Sequence, residues 1–214
     1  MKRFLLLTVV ALVLQGCGGI FGKAKADATR VYLLESPSAE AACPSQLFLP
    51  HNVVAISHIT VPEYLNRPHL VFRDGKGILH QDDLRRWGEP LAHGLGRIFL
   101  REMRHLLLED LIVVAPIGGN LQPDYSVRIT VDDWLFTKSK GILLHAHCEF
   151  WDTKGNVLLG VKFYCDFASV RLNSLEGLVP AMYHMAIKFA QEIAYDLRHI
   201  ESGEVNWLQM AEDI

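Results

Sequence analysis

Three consecutive segments in the second half of the sequence alternate apolar and polar residues, and they constrain the fold more than any other feature. The first begins at Tyr125, the second at Gly141 and the third at Val157. Their apolar residues are Val127, Ile129 and Val131, then Ile142, Leu144, Ala146, Cys148 and Phe150, then Val157, Leu159, Val161, Phe163, Cys165 and Phe167. A period of two is typical of strands with one face in the core. The pattern predicts a three-stranded meander.

The sequence DTKGN between the second and third segments predicts a hairpin, which determines the residues that lie opposite each other. If both apolar faces point the same way, Cys148 lies opposite residue 159 or 161. Cys165 is then about four to six positions out of register, roughly 13 to 20 Å away, whereas a disulfide tolerates about 7 Å between α-carbons. Cys43 remains as the intrachain disulfide partner for either cysteine, and the sequence leaves open which one it joins.

Two segments have the apolar period of an amphipathic helix. The first follows RWGEP, in which Pro90 suits the start of a helix, and its apolar residues recur from Leu91 to Leu107. The second closes the domain, with apolar residues at three- and four-residue steps from Leu175 to Leu197. The order is strands, helix, strand, meander and helix. It predicts an α+β domain with a mainly antiparallel sheet and two amphipathic helices packed on one face.

The segment ITVPEYLNRPHLVFR, residues 59–73, has the composition of a strand but contains two prolines. Pro62 and Pro68 lack a backbone N–H, so each ends a strand or confines it to a sheet edge. We interpret the residues between them as a corner, which is either architecture alone or a surface that contacts a partner. Trp87 is either a core anchor or an exposed contact. The candidate contact residues are Pro62, Tyr64, Leu65 and Trp87.

The N-terminus, MKRFLLLTVVALVLQGC, has the pattern of a secretory signal: a basic start, an apolar run and small residues before a cysteine. The run is too short for a permanent transmembrane helix. Its end, LQGC, resembles the lipobox of bacterial lipoproteins. This resemblance implies cleavage before Cys17 and attachment of acyl chains such as palmitate, and more than one chain anchors a protein stably. An ordinary signal peptide with cleavage elsewhere is the alternative.

The sequence divides into four parts. We expect a lipoprotein signal peptide at residues 1–16, the lipidated cysteine and a flexible tether at 17–30, a single α+β domain at 31–200, and an acidic C-terminal extension at 201–214. Gly18 follows the cysteine and, by resemblance to enterobacterial sorting rules, implies the periplasmic face of the outer membrane. The net charge of −3 argues against a nucleic-acid partner, because nucleic-acid binding requires a basic surface.

The sequence HAHCE is the strongest candidate for a metal site. His145, His147 and Glu149 share one face of a strand, and this spacing suits zinc. The solvent face of an amphipathic strand explains the same residues, and we favour that interpretation because the alternate face carries the apolar set. The sequence contains no nucleophile motif such as Gly-x-Ser-x-Gly. We therefore expect neither a catalytic site nor a cofactor.

Several segments together resemble a known family. VYLLES soon after a lipobox, ITVPEYLNRPHLVFR, RWGEPL at the start of a helix, and a late meander before a C-terminal helix are similar to the ABC-type transport auxiliary lipoproteins. The resemblance covers residues 31–200. It implies a non-catalytic accessory subunit that works with a mammalian-cell-entry-type, periplasm-spanning protein and its inner-membrane component in lipid transport between membranes, and so supports envelope integrity.

Two other functions are weighed against this one. The first is a periplasmic metal-binding enzyme that uses His145, His147 and Glu149. The second is a regulatory lipoprotein that contacts cell-wall synthases, for which the sequence contains no motif of its own. The transported compound and the oligomeric state are left open, with a homo-oligomer as one alternative.

Overall fold

The described part of the chain forms eight strands and two helices. A computed structural model describes residues 29–35, 49–137, 141–168 and 177–203. The helices are α1 (Leu91–Leu106) and α2 (Leu178–Ser202), and neither has an apolar stretch long enough to cross a membrane. The strands are β1 (Arg30–Tyr32), β2 (Val53–Thr60), β3 (His69–Arg73), β4 (Leu79–Trp87), β5 (Leu111–Val114), β6 (Tyr125–Thr137), β7 (Gly141–Asp152) and β8 (Val157–Ala168).

Strand β6 is the centre of the sheet because three other strands pair with it. Along one edge it is antiparallel to β7 over its whole length, and β7 pairs in turn with β8. Along the other edge it is parallel to β2 over residues 125–130 and to β3 at residues 136–137. Strands β4 and β1 continue the sheet beyond β3, and β5 continues it beyond β2.

The prediction of a mainly antiparallel sheet is wrong. Of the seven strand pairings among the described residues, four are parallel. The α+β class, the two helices and the antiparallel meander of β6, β7 and β8 are confirmed. The parallel pairs join strands that are distant in sequence: β2 reaches β5 only after β3, β4 and α1. Long connections of this kind can return a strand in the same direction, which a two-residue hairpin cannot do.

Both helices cover one face of this sheet. The buried alternate residues of β6 and β7 form one continuous core with the apolar sides of α1 and α2. Helix α1 contacts β2 and β5, α2 contacts β7 and β8, and the helices contact each other. Phe99 and Phe189 meet edge to face between the helices, with ring centroids 5.6 Å apart. The predicted inward faces of β6 and β7 are thus confirmed.

The predicted inward face of β8 is wrong on both sides of Leu159, since Val157 is also exposed and a further register shift separates it from Leu159. Cys148 pairs with Lys162 but Phe150 pairs with Leu159, so the register shifts by one residue between these pairs. An extra residue in one strand reverses the side to which the following side chains point. Leu159 is therefore buried, whereas Phe163 is 76 % exposed.

The same shift changes the position of the cysteines. Cys148 lies opposite Lys162 and not opposite residue 159 or 161, and Cys165 lies opposite His145. Cys148 is buried, Cys165 is exposed, and both carry free thiols. The expectation that they do not bond to each other agrees with this arrangement, although the register behind it is wrong. Cys43 lies outside the described residues.

Candidate functional site

The corner between β2 and β3 allows both strands to pair with the same edge of β6. Strand β2 pairs with β6 as far as Thr130, and β3 pairs with it again from Phe136. Between the two strands, the Pro62 carbonyl accepts hydrogen bonds from the N–H of Leu65 at 2.9 Å and of Asn66 at 3.0 Å. The chain therefore turns away from β6 and returns to it further along, which confirms that the strand is interrupted by a corner.

Tyr64 ties the corner to the part of β6 that neither strand pairs with. Its hydroxyl donates a hydrogen bond of 2.6 Å to Asp133 Oδ1. Asp133 follows a register shift between β6 and β7, and its other carboxylate oxygen lies 3.9 Å from Arg73 Nη1. Burial, followed by the hydrogen bond to Asp133, raises the pKa of Tyr64 above its ordinary value. The phenol consequently remains a donor throughout the neutral range.

Leu65 and Trp87 anchor the corner from inside. Leu65 is only 5 % exposed and Trp87 is half-buried, and both line a cavity of about 10 Å³ together with Leu91 of α1 and Met182 of α2. The backbone N–H of Trp87 donates a hydrogen bond of 2.7 Å to the carbonyl of Pro68. These two side chains join the corner to the first turns of both helices. Leu65 thus supports the corner from the core instead of presenting its side chain to solvent.

The RWGEPL segment has a structural explanation in its own contacts. A Cβ at Gly88 would lie 3.1 Å from side-chain carbons of both Val31 and Leu33, so a larger residue there would displace these two side chains of the β1 segment. Glu89 accepts a hydrogen bond of 3.1 Å from Arg97 Nε, which lies two turns along α1. The segment therefore connects strand β1, strand β4 and helix α1.

The outer side of the corner presents four exposed residues, namely Glu63, Asn66, Arg67 and Pro68. Pro62 and Tyr64 are half-buried beside them. The corner thus presents an acidic, an amide and a basic side chain, while Tyr64 bonds to β6 and Leu65 packs on the core. Such an arrangement suits recognition of a protein surface, because little conformational entropy is lost when a rigid element binds.

The candidate metal residues share the solvent face of β7, as predicted, but two of them bond to β6. His147 Nδ1 lies 2.8 Å from Asp132 Oδ2, and Glu149 accepts a hydrogen bond of 3.1 Å from Arg128. His145 is exposed. Among the described residues no three His, Cys, Asp or Glu side chains converge as metal ligands would. These contacts are cross-strand pairs of the kind that stabilise sheets.

Sequence reasoning missed one feature, a groove of about 420 Å³ between α1 and the β2–β5 side of the sheet. Its walls include Ile59, Gly96, Leu100 and Val114. The sequence signal was the occurrence of two glycines, Gly94 and Gly96, within the predicted helix, since glycine lowers helix stability by about 1 kcal/mol relative to alanine. Cys17, the predicted lipidation site, lies outside the described residues.

Known structures share this fold. The crystal structure of a protein described as uncharacterized aligns with a TM-score of 0.64 at 12 % identity and covers 79 % of this chain and 98 % of its own. A protein from Xanthomonas campestris aligns with a TM-score of 0.62 at 10 % identity and covers 82 % of this chain and 95 % of its own. At these identities the likeness concerns the fold alone.

The PelC dodecamer from Paraburkholderia phytofirmans is more distant. It aligns with a TM-score of 0.36 at 13 % identity over 67 % of this chain and 92 % of its own, and a likeness of that size supports no inference about this chain. Comparison with functionally curated proteins gave no significant match.

The sequence itself matches a family model over residues 32–194, which is most of the chain. The match begins at the last residue of β1 and ends inside α2, so it includes the corner, strands β2 to β8, all of α1 and most of α2. The model describes the auxiliary lipoprotein component of ABC-type transport. The chain belongs to the ABC-type transport auxiliary lipoprotein component family.

Proposed function

We propose that this protein is an accessory subunit of an intermembrane lipid transport system, anchored by Cys17 in the outer membrane with its domain in the periplasm. The match to the auxiliary lipoprotein family over residues 32–194 carries the proposal. The partner we infer is a mammalian-cell-entry-type protein that spans the periplasm, together with its inner-membrane component. The role is non-catalytic, and it maintains the integrity of the envelope.

The N-terminal sequence supports the anchor. LQGC ends an apolar run of the length found in secretory signals. Cys17 occupies the position at which lipoproteins carry their acyl chains. In the folded domain, β1 begins at Arg30 and forms the edge strand of the sheet next to β4. The chain therefore enters the domain at a sheet edge, and Val31 on that strand is 67 % exposed.

The first experiment tests the anchor. In cells that produce Cys17→Ala, we expect the protein to move from the outer-membrane fraction to the soluble periplasmic fraction, because the acyl chains provide the membrane affinity. Cys165→Ala is the matched control, since Cys165 is an exposed cysteine elsewhere in the fold and should leave fractionation unchanged. Retention of Cys17→Ala in the membrane would contradict the lipid anchor.

The second experiment tests the corner as the docking surface. A photo-crosslinking amino acid replaces exposed Asn66 on the corner or, as the control, exposed Lys154 in the β7–β8 turn. We expect Asn66 to trap the periplasm-spanning partner and Lys154 not to trap it. The charge reversals Glu63→Lys and Arg67→Glu should weaken this crosslink without changing stability, because both side chains are exposed.

Each outcome of the crosslinking experiment is informative. Equal trapping from Asn66 and Lys154 would show that the corner has only a structural role and is not the docking surface. Capture of a cell-wall synthase with no transport partner would replace the proposed function with a regulatory one. The metal-binding alternative gains no support from the contacts of His147 and Glu149, which already bond to residues of β6.

A further inference from the structure

The groove beside α1 has the size and lining of a ligand site. Its volume of about 420 Å³ falls within the range of roughly 300 to 1,000 Å³ that small-molecule pockets occupy. It lies between residues 92–100 of α1 and the ends of β2 and β5. Most of its lining is apolar, and these residues are Ile56, Ile59, Ala92, Gly96, Leu100, Val114 and Ala115.

Gly96 keeps the floor of this groove open. A Cβ at Gly96 would lie 3.5 Å from Ile59 Cδ1 and 3.8 Å from Val114 Cγ1, which are ordinary contact distances, so the packing would accept an alanine. The neighbouring Gly94 is different, because a Cβ there would lie only 3.2 Å from Leu34 Cβ. Packing therefore accounts for Gly94 but not for Gly96. What an alanine at position 96 would change is the space in the groove.

The rim of the groove does not select a charged group. Arg97 lines it, but its guanidinium donates hydrogen bonds to Glu89 at 3.1 Å and to Glu35 at 3.2 Å. The positive charge of Arg97 is thus balanced by two carboxylates. The other polar lining residues are two exposed histidines, His58 and His93, and Ser57, whose hydroxyl donates a hydrogen bond of 3.1 Å to the carbonyl of Val127. The apolar floor is left as the feature that can provide binding energy.

We propose that this groove binds one alkyl chain of an amphiphilic molecule, with the head group in solvent beyond His58 and His93. The inference rests on the proposed function in lipid transport and assigns a contact with the lipid to this subunit. A fatty acid and a phospholipid offer the same alkyl chain, so the groove recognises the chain in either form.

The test uses the full chain with Cys17→Ser, purified without detergent, since an alkyl detergent would compete for the groove. The probe is a 16-carbon fatty acid with a photoreactive diazirine at the middle of its chain. We expect saturable labelling that mass spectrometry maps to peptides containing Ile59, Leu100 or Val114. Competition by unlabelled fatty acid and by a lysophospholipid of the same chain length compares the two sources; equal competition supports recognition of the chain itself.

Gly96→Leu should fill the groove and reduce labelling about tenfold, because excluding about two methylene groups of the ligand from apolar surface has an effect of that size. Gly96→Ala is the second variant, which guards against misfolding of the first; we expect weaker labelling together with a higher melting temperature. His105→Leu is the matched control, since His105 is exposed and lies half a turn around α1 from Gly96.

Three results would overturn the inference: labelling that does not saturate, labelling that maps elsewhere, or labelling by the folded Gly96→Leu protein that equals that of wild type. A partner peptide trapped from position 100 would also overturn it, because the groove would then bind protein. If Asn66 still traps the transport partner in such a case, the proposed function stands and only the lipid contact fails. If the Asn66 crosslink is lost and fatty-acid labelling is normal, the groove binds an alkyl chain but the proposed partner contact fails.

Discussion

The bond between Tyr64 and Asp133 gives a quantitative test of how the corner is held. Tyr64→Phe removes one hydroxyl and leaves the ring in place, so the hydrogen bond of 2.6 Å to the carboxylate is lost. Bonds to charged groups contribute about 1.5 to 3 kcal/mol, and the side chain of Asp133 is 25 % exposed and therefore partly screened. We expect the lower value, about 1.5 kcal/mol.

Urea unfolding provides the assay. With a slope of about 2 kcal/mol per M, a loss of about 1.5 kcal/mol lowers the midpoint by about 0.7 M. Tyr195→Phe is the matched control, because Tyr195 is an exposed tyrosine of α2 and its loss should change stability by less than about 0.5 kcal/mol. An unchanged midpoint for Tyr64→Phe would show that the core alone holds the corner and would refute the reasoning.

The pH dependence of this difference provides a second check. The pKa of Tyr64 is raised in the folded protein, chiefly by burial, whereas in the unfolded chain it is about 10. A group with a raised folded-state pKa contributes stability that is complete below the unfolded value and is lost as the pH rises above it. The stability difference between wild type and Tyr64→Phe should therefore be constant from about pH 7 to pH 9 and shrink above about pH 10. A difference that grows with pH would contradict this assignment.

Three further predictions concern the core. Leu65→Ala should lower the free energy of unfolding by about 3 kcal/mol because Leu65 is buried, and a change below about 1 kcal/mol would place its side chain outside the core. Lys162→Met removes the cation 2.7 Å from buried Asp196 and should cost about 2 kcal/mol in urea unfolding, since the lysine is partly exposed; adding Asp196→Leu should restore most of the loss. A maleimide reagent should label exposed Cys165 in the folded protein, whereas buried Cys148, whose pKa burial raises to about 12, should react only after unfolding. Equal labelling of the two thiols would contradict the burial of Cys148.

The elements with the most regular period were predictable from the sequence. The inward faces of β6 and β7 followed from alternation alone, because in a strand each side chain points to the side opposite that of its neighbours. Helices α1 and α2 followed from their apolar steps of three and four residues. These inferences succeed because they depend on backbone geometry within a few residues.

Strand β8 shows where the same argument fails. Its residues alternate as regularly as those of β7, yet one extra residue between Leu159 and Lys162 moves Val161 and Phe163 to the exposed side. A bulge is a property of the pairing with β7, and the apolar period of β8 does not predict it. The residue expected opposite Cys148, 159 or 161, was wrong for the same reason, since Cys148 pairs with Lys162.

The candidate site was predicted in part. The prolines located the corner, and Tyr64 and Trp87 have structural roles there. Leu65 is buried because the corner folds over the starts of α1 and α2, which lie far from it in the sequence. The groove was missed because its walls come from β2, α1 and β5, and the sequence shows only the glycines of α1.

The sequence by itself determined the secretory and lipobox pattern, the identity and order of the helices and strands, the family resemblance and the position of the interruption at Pro62 to Pro68. Only the tertiary structure decided that β2 and β3 run parallel to the same edge of β6, that β8 reverses its face, and that α1 leaves a groove beside the sheet. The reason is that periodicity depends on neighbouring residues. Strand direction, bulges and cavities instead depend on contacts between segments tens of residues apart, whose geometry the local period does not encode.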